Sequence, residues 1–250
     1  MKLIIVGCEH VGKTTLADGV SRWLAEITGY SRSFHDHFTV PSPEVSGKDR
    51  ELFMQMSPKF KEKFQRYQID YHAGGAFSSD NDHMLVGYHI EEAVYAPLYY
   101  GYGGKGQYAE RSSFARRVEQ GIMREAPDTI LVLLTAKPDI IKGRMRQDPL
   151  PRDQSGRRPG LLRSEHVEDV LHQFEEEFTA SLIRRKFRID NSDLTPDETL
   201  SEFVWKAQKH LSALDRTRIL ARDAMTRRGD ARAPVVEHDK TVPPDERIKL

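Results

Sequence analysis

One cysteine, Cys8, stands in 250 residues, so no internal disulfide can form and a reducing compartment is expected. Net charge is also missing: 38 Lys and Arg balance 38 Asp and Glu. That removes a global electrostatic argument for nucleic acid or an anionic membrane surface. No apolar run reaches the length needed to span a bilayer. There is no internal repeat. The N-terminus opens directly on a strand-like run, so no signal peptide is expected, and a cytoplasmic protein is the default.

Against these absences stands one dense motif. Gly7-Cys8-Glu9-His10-Val11-Gly12-Lys13-Thr14-Thr15 fits the G-x-x-x-x-G-K-[ST] template of a phosphate-binding loop. Residues 2–6 form a short, apolar, β-branched run before it, as a buried parallel strand requires. After it, Leu16, Val20, Trp23, Leu24 and Ile27 recur at helical spacing. Strand, glycine loop and helix is the context the motif demands.

Gly7 and Gly12 permit backbone angles and a close approach that a side chain would block. The amides of His10, Val11 and Gly12 and the helix N-terminus would face an anion. Lys13 would reach the β- and γ-phosphates of ATP, the Thr14 hydroxyl would ligate Mg²⁺, and Thr15 would bond a phosphate oxygen. Cys8 reads as a small loop residue.

Downstream, the pattern alternates strands and helices. Strands are expected near 2–6, 32–34, 83–87, 129–134 and 187–189, giving a five-stranded parallel sheet with helices on both faces, an α/β fold. Helices are expected over 13–28 (stopped by Gly29), 48–72 (split by Pro58), 109–124, 137–147, 164–184 (capped by Ser164) and from Pro196 (capped by Thr195). Residues 1–212 then form one domain. Residues 213–250 form a charged extension: a basic helix to about Met225, then disorder beyond Arg227.

Ligands in open α/β sheets bind beyond the C-terminal ends of strands. Asp36 follows strand two; Glu91 and Glu92 follow strand three. These carboxylates are placed to orient an acceptor, take its proton, or ligate a metal through water. His35, His37 and His89 lie at the same ends, without a spacing diagnostic of a metal site. Residues 148–164 form a proline- and arginine-rich loop, flanked by Arg144 and carrying Arg152, Arg157 and Arg158. That is the composition of a lid closing over transferring phosphate. Arg111, following a glycine-rich loop, could face phosphate or solvent. Arg66, with Gln65, Tyr67 and Gln68, offers stacking and amide edges to a nucleobase, or ordinary core contacts.

This pattern resembles the thymidylate kinase and deoxynucleoside kinase branch of phosphate-loop kinases, over roughly residues 1–212. Phe64-Gln65-Arg66 looks like the helix in which thymidylate kinases carry a base-contacting arginine. The 129–139 stretch followed by Arg144-Met145-Arg146 is similar to their fourth strand and pre-lid helix. Ile189-Asp190-Asn191-Ser192 looks like their last strand, and Glu110-Arg111-Ser112 like the Glu-Arg-Ser of deoxynucleoside kinases. Strand three, however, lacks their Asp-Arg or Glu-Arg and ends Gly87-Tyr88-His89-Ile90-Glu91-Glu92; strand two offers Asp36 in place of Glu-Pro.

The resemblance implies an ATP- and Mg²⁺-dependent kinase of a nucleoside, a nucleotide or a related acceptor, with a homodimer by analogy. Lys13, Asp36, Glu91, Arg111 and Arg152 are its candidate catalytic residues. Gly7, His10, Val11, Gly12, Lys13, Thr14, Thr15 and Arg144 would hold ATP, with Thr14 on the metal. Arg66, Tyr67 and Glu92 would hold the acceptor. A modified base within DNA is an alternative acceptor, suited by the basic tail. A nucleotide switch and a non-catalytic scaffold are the competing classes; Thr135-Ala136-Lys137-Pro138-Asp139 only superficially echoes a guanine-reading motif.

Overall fold

A computed structural model describes residues 1–32, 47–76, 82–147 and 160–237. Strand β1 (Lys2–Val6) is buried along almost its whole length. It pairs in parallel with β3 (His83–Val86) on one side and β4 (Ile130–Thr135) on the other. β5 (Arg185–Asp190) continues the sheet beyond β4, giving the order β3-β1-β4-β5. The chain therefore leaves β1 toward both sides, and the phosphate loop sits where the strand order diverges, the usual crevice of an open α/β sheet.

Among the described residues the sheet has four strands and not the five expected. β2 (Tyr30–Arg32) pairs in parallel with β6 (Val235–Glu237), forming a separate two-stranded sheet. β1 and β3 are hydrogen-bonded directly, from Lys2↔His83 to Ile5↔Val86, so no place is left between them. A three-residue strand carries no pattern that identifies its partner.

Helix α1 (Lys13–Thr28) follows the loop and ends, as expected, on Gly29 in the left-handed conformation. Helices α2 (Gly47–Gln55) and α3 (Pro58–Ala76) break at Pro58. α4 (His89–Tyr95) passes into a π-helical turn over Ala96–Tyr100, where Pro97 has no N–H to continue the ladder. Then come α5 (Arg111–Glu125), α6 (Pro138–Gln147), α7 (Val167–Ala180) and α8 (Pro196–Ala207). Ser164 opens a single 3₁₀ turn before α7 rather than capping it. Thr195 does cap α8, in a full capping box with Glu198.

α9 (Ala213–Arg228) is also capped by a box, Ser212 with Asp215, and packs against α1. Arg218 clamps the Asp82 carboxylate at 2.7 and 2.8 Å. Asp82 and Asp215 both also contact the terminal ammonium of Met1. Burial alone would raise the Asp82 pKa, but Arg218 and the ammonium together hold it below the usual carboxylate range. Of the stretch beyond Arg227 where disorder is expected, the part up to 237 holds β6, paired with β2, and residues 238–250 lie outside the described residues.

Candidate active site

The loop between β1 and α1 is shaped by backbone. Gly7 has φ +150°, and a Cβ there would run into the Leu134 carbonyl oxygen. Gly12, at φ +97°, caps α1 with no side-chain hydrogen bond, and the first turn holds no acid. The helix N-terminus therefore keeps its amides and positive dipole end for an anion. His10 adds a left-handed residue at φ 63°, uncommon for a side chain of its size. Thr14 and Thr15 are exposed at the helix start, and Lys13 is buried. Lys13 Nζ donates to the carbonyls of Gly7 and Cys8 at 2.7 and 3.0 Å. Burial pushes the Cys8 thiol up to about 12, so it is a thiol at neutral pH.

Two long-range contacts hold the loop. The Val11 carbonyl accepts from Asn191 Nδ2 at 2.8 Å and from Arg144 at 3.2 Å. Arg144 also donates to the Asn191 side-chain and main-chain oxygens, both at 3.1 Å. Arg144 thus grips the back of the loop. On the other side, Glu9 N–H donates to the Tyr95 hydroxyl at 3.0 Å. Its carboxylate accepts from the amides of Leu161 and Leu162 at 2.9 Å.

The end of β3 is unusual. Gly87 has φ +90°, and Tyr88 follows at φ 72°, ψ −147°, a region that costs a non-glycine residue about 1–3 kcal/mol. This bend starts α4 immediately and turns Glu91 back over the strand. A Cβ at Gly87 would collide with the Glu91 carboxylate. Glu91 Oε2 lies 3.7 Å from Lys13 Nζ, and both side chains are buried. The first turn of α4 thus brings a buried carboxylate against the end of β3 and beside the loop lysine.

Glu92 sits beside it with an arginine. Its Oε1 accepts from Tyr102 at 2.9 Å and pairs with Arg111 Nε at 3.1 Å. Arg111 is 1 % exposed and also donates to Glu62 Oε1 at 3.0 Å. Its guanidinium lies 4.6 Å from the Phe114 ring centroid and 5.0 Å from that of Tyr102. Burial, which outweighs the arginine, pushes the Glu92 carboxyl up to about 7.

α3 closes this end. Arg66 is partly exposed, with Nε 3.3 Å from Glu62 Oε1, and Tyr67 is exposed. Gln65 is buried, and neither its amide nitrogen nor its oxygen has a hydrogen-bond partner among the described residues. A cleft of about 400 Å³ opens here, lined by Glu62, Arg66, Tyr108, Ala109, Arg111, Phe114 and Arg117.

Lys13, Glu91, Glu92 and Arg111 thus form one continuous arrangement, with Arg66 at its edge and Tyr67 outside it. Asp36, Arg152 and most of the 148–164 loop, with Arg157 and Arg158, lie outside the described residues. His89 is buried against Glu119 at 3.0 Å, and Glu119 also accepts from Ser181 and Leu182. Among the described residues, no three His, Cys, Asp or Glu side chains are grouped to hold a metal.

Glu9, Glu62, Tyr95 and Tyr102 were not singled out from sequence. Glu62 had a faint signal: with Gln65 and Ile69 it shares the inward side of α3. Tyr102 sits in a glycine-rich stretch that reads as a mobile loop, and nothing in the sequence connects Glu9 to residues 161 and 162.

No family model matches the sequence, and no curated protein matches it. Solved structures do. Deoxyadenosine kinase from M. mycoides, solved with bound dCTP, is 16 % identical, with a TM-score of 0.54, over 84 % of this chain and 100 % of that one. Thymidylate kinase from Candida albicans is 14 % identical, with a TM-score of 0.52, over 84 % and 93 %. At this identity the likeness is one of fold, and the fold is that of these phosphate-loop kinases.

Proposed function

We propose that the chain is an ATP-dependent phosphotransferase acting on a nucleoside or nucleotide. The observation that carries this reading is the Glu91 carboxylate standing over Gly87, 3.7 Å from the Lys13 ammonium. A carboxylate this near the phosphate loop supports the role of proton acceptor for Glu91.

The loop fits a triphosphate: helix amides with no side-chain cap, no acid in the first turn, and glycines at positive φ, Gly7 with no room for a Cβ. Lys13 neutralises charge on the transferring phosphoryl oxygens. Mg²⁺, held by the Thr14 hydroxyl and the phosphates, would neutralise further charge there. Arg144 keeps the loop in shape from behind, and Arg152 in the lid is the arginine proposed to reach the phosphates. Glu91 orients the acceptor oxygen and, for a hydroxyl acceptor, takes its proton. The acceptor oxygen bonds to the γ-phosphorus as the bond from γ-phosphorus to the bridging oxygen breaks, releasing ADP.

Glu92 and Arg111 form the floor of the acceptor site. The Gln65 amide, without a partner among the described residues, is a donor and an acceptor for a nucleobase edge, and Arg66 lines the cleft beside it. Asp36, outside the described residues, is kept as a candidate acceptor contact on its sequence position alone.

The test is a panel of deoxynucleosides and nucleoside monophosphates with ATP and Mg²⁺, read by ADP release and product mass. A phosphorylated product that disappears in Lys13→Ala supports the reading. ADP release without any phosphorylated acceptor contradicts it.

A further inference from the structure

The outer side of α3 carries two parallel rows. Phe60, Phe64 and Tyr67 are 48, 41 and 69 % exposed. Lys59, Lys63 and Arg66, one position earlier in each case, are exposed beside them. The i, i+4, i+7 spacing keeps each row on one stripe, about 10 Å long at 1.5 Å per residue. Asp70 is the exposed acid on this part of the helix. Inward-facing positions are Lys61, Glu62, Gln65 and Ile69, so the helix already has its core contacts.

The surface continues into the cleft. Tyr108 is 53 % exposed, with its hydroxyl 3.5 Å from Glu62 Oε2 on α3. Arg117 lines the same cleft, its guanidinium 5.8 Å from the Phe114 ring centroid. The cation row thus reaches the cleft through Arg66, with Tyr108 and Arg117 in the same lining and the aromatic row alongside it on the helix.

An apolar face made for another protein would be depleted of lysine at its centre. Flat rings with cations between them instead match a strand of nucleic acid, whose bases stack on any aromatic face while its phosphates meet the cations. The balanced charge of the whole chain does not oppose this, because the cations are concentrated locally.

We infer that this face binds single-stranded nucleic acid.

The experiment is fluorescence anisotropy of the full chain with labelled oligothymidine and oligouridine of about 20 nucleotides, and with a duplex of equal length, a span above one strand-binding site. Its two single-stranded arms distinguish DNA from RNA. With three phosphate contacts, affinity for the preferred strand falls about 20-fold between about 50 and 200 mM salt. In the Lys59→Gln/Lys63→Gln variant, with one contact left, that fall is about threefold. Phe60→Ala weakens binding at least about fivefold, the cost of one lost stack.

Both variants keep wild-type ATP affinity, measured by calorimetry, because they lie away from the loop. No binding to either strand overturns the inference, as does tighter binding to duplex or an unchanged salt dependence in the lysine variant. A dimer in light scattering that Phe60→Ala dissociates, without strand binding, overturns it in favour of a second copy of the chain. Strand binding without ATP binding keeps the surface and removes the kinase reading. ATP binding without strand binding does the reverse.

Discussion

The phosphate loop and the end of β3 face each other across one site, yet they are built in opposite ways. The loop is local: within nine residues it holds the glycines, the lysine and the hydroxyls it needs, on a strand and a helix that the same stretch starts. The proposed acceptor end is assembled. Glu91 and Glu92 come from α4, Arg111 from α5, Glu62 from α3 and Tyr102 from the segment between α4 and α5. The first kind of site survives as a readable word, and the second exists only after folding.

The sharpest way to break the comparison is at the arginine that joins these elements. Arg111→Ala leaves Glu92 buried without its cation and Glu62 with Arg66 alone. A loss of about 3–5 kcal/mol is expected, since a buried charge left unpaired is costly. Urea unfolding measures it. A loss under about 1 kcal/mol, the scale of an exposed pair, would mean that the network does not organise the acceptor end.

Next is the carboxylate itself. Glu91→Gln keeps the shape over Gly87 but cannot take a proton. It should lower kcat about 10²-fold or more while leaving the KM for ATP near wild type. A change in ATP KM alone would make Glu91 a partner of the loop lysine and not of the acceptor.

The smallest effect is a pH dependence. Glu92 has an ordinary value of 4.5 and is raised to about 7 in the folded protein, chiefly by burial. The folded state therefore holds a proton that the unfolded state gives up. Stability from this group is full below about 4.5 and is lost as pH rises through about 7. Between pH 5 and 8 the melting temperature of the native protein should fall more steeply than that of Glu92→Gln. Equal slopes would show that Arg111 keeps Glu92 ionised throughout.

These differences explain what was legible beforehand. The parallel sheet, the loop, the helix stop at Gly29 and the break at Pro58 follow from period and punctuation, and the structure carries them. The placement of β2 does not follow, because three residues paired with a strand some 200 positions later leave no mark on either sequence. The strand-three end looked like a departure from the kinase pattern. In the fold, a glycine gives up its side-chain space and a strained tyrosine turns the chain, so that a glutamate four positions later fills it. A linear reading of the strand end does not show that the Glu91 carboxylate folds back over Gly87.

The most direct test is mass analysis of acceptors incubated with ATP, Mg²⁺ and either the native protein, Lys13→Ala or Glu91→Gln. The account predicts a phosphorylated nucleoside or nucleotide with the native protein, and little or none with either variant, while Glu91→Gln still binds ATP. Undiminished product from Glu91→Gln would contradict the claim that the Glu91 carboxylate serves the acceptor.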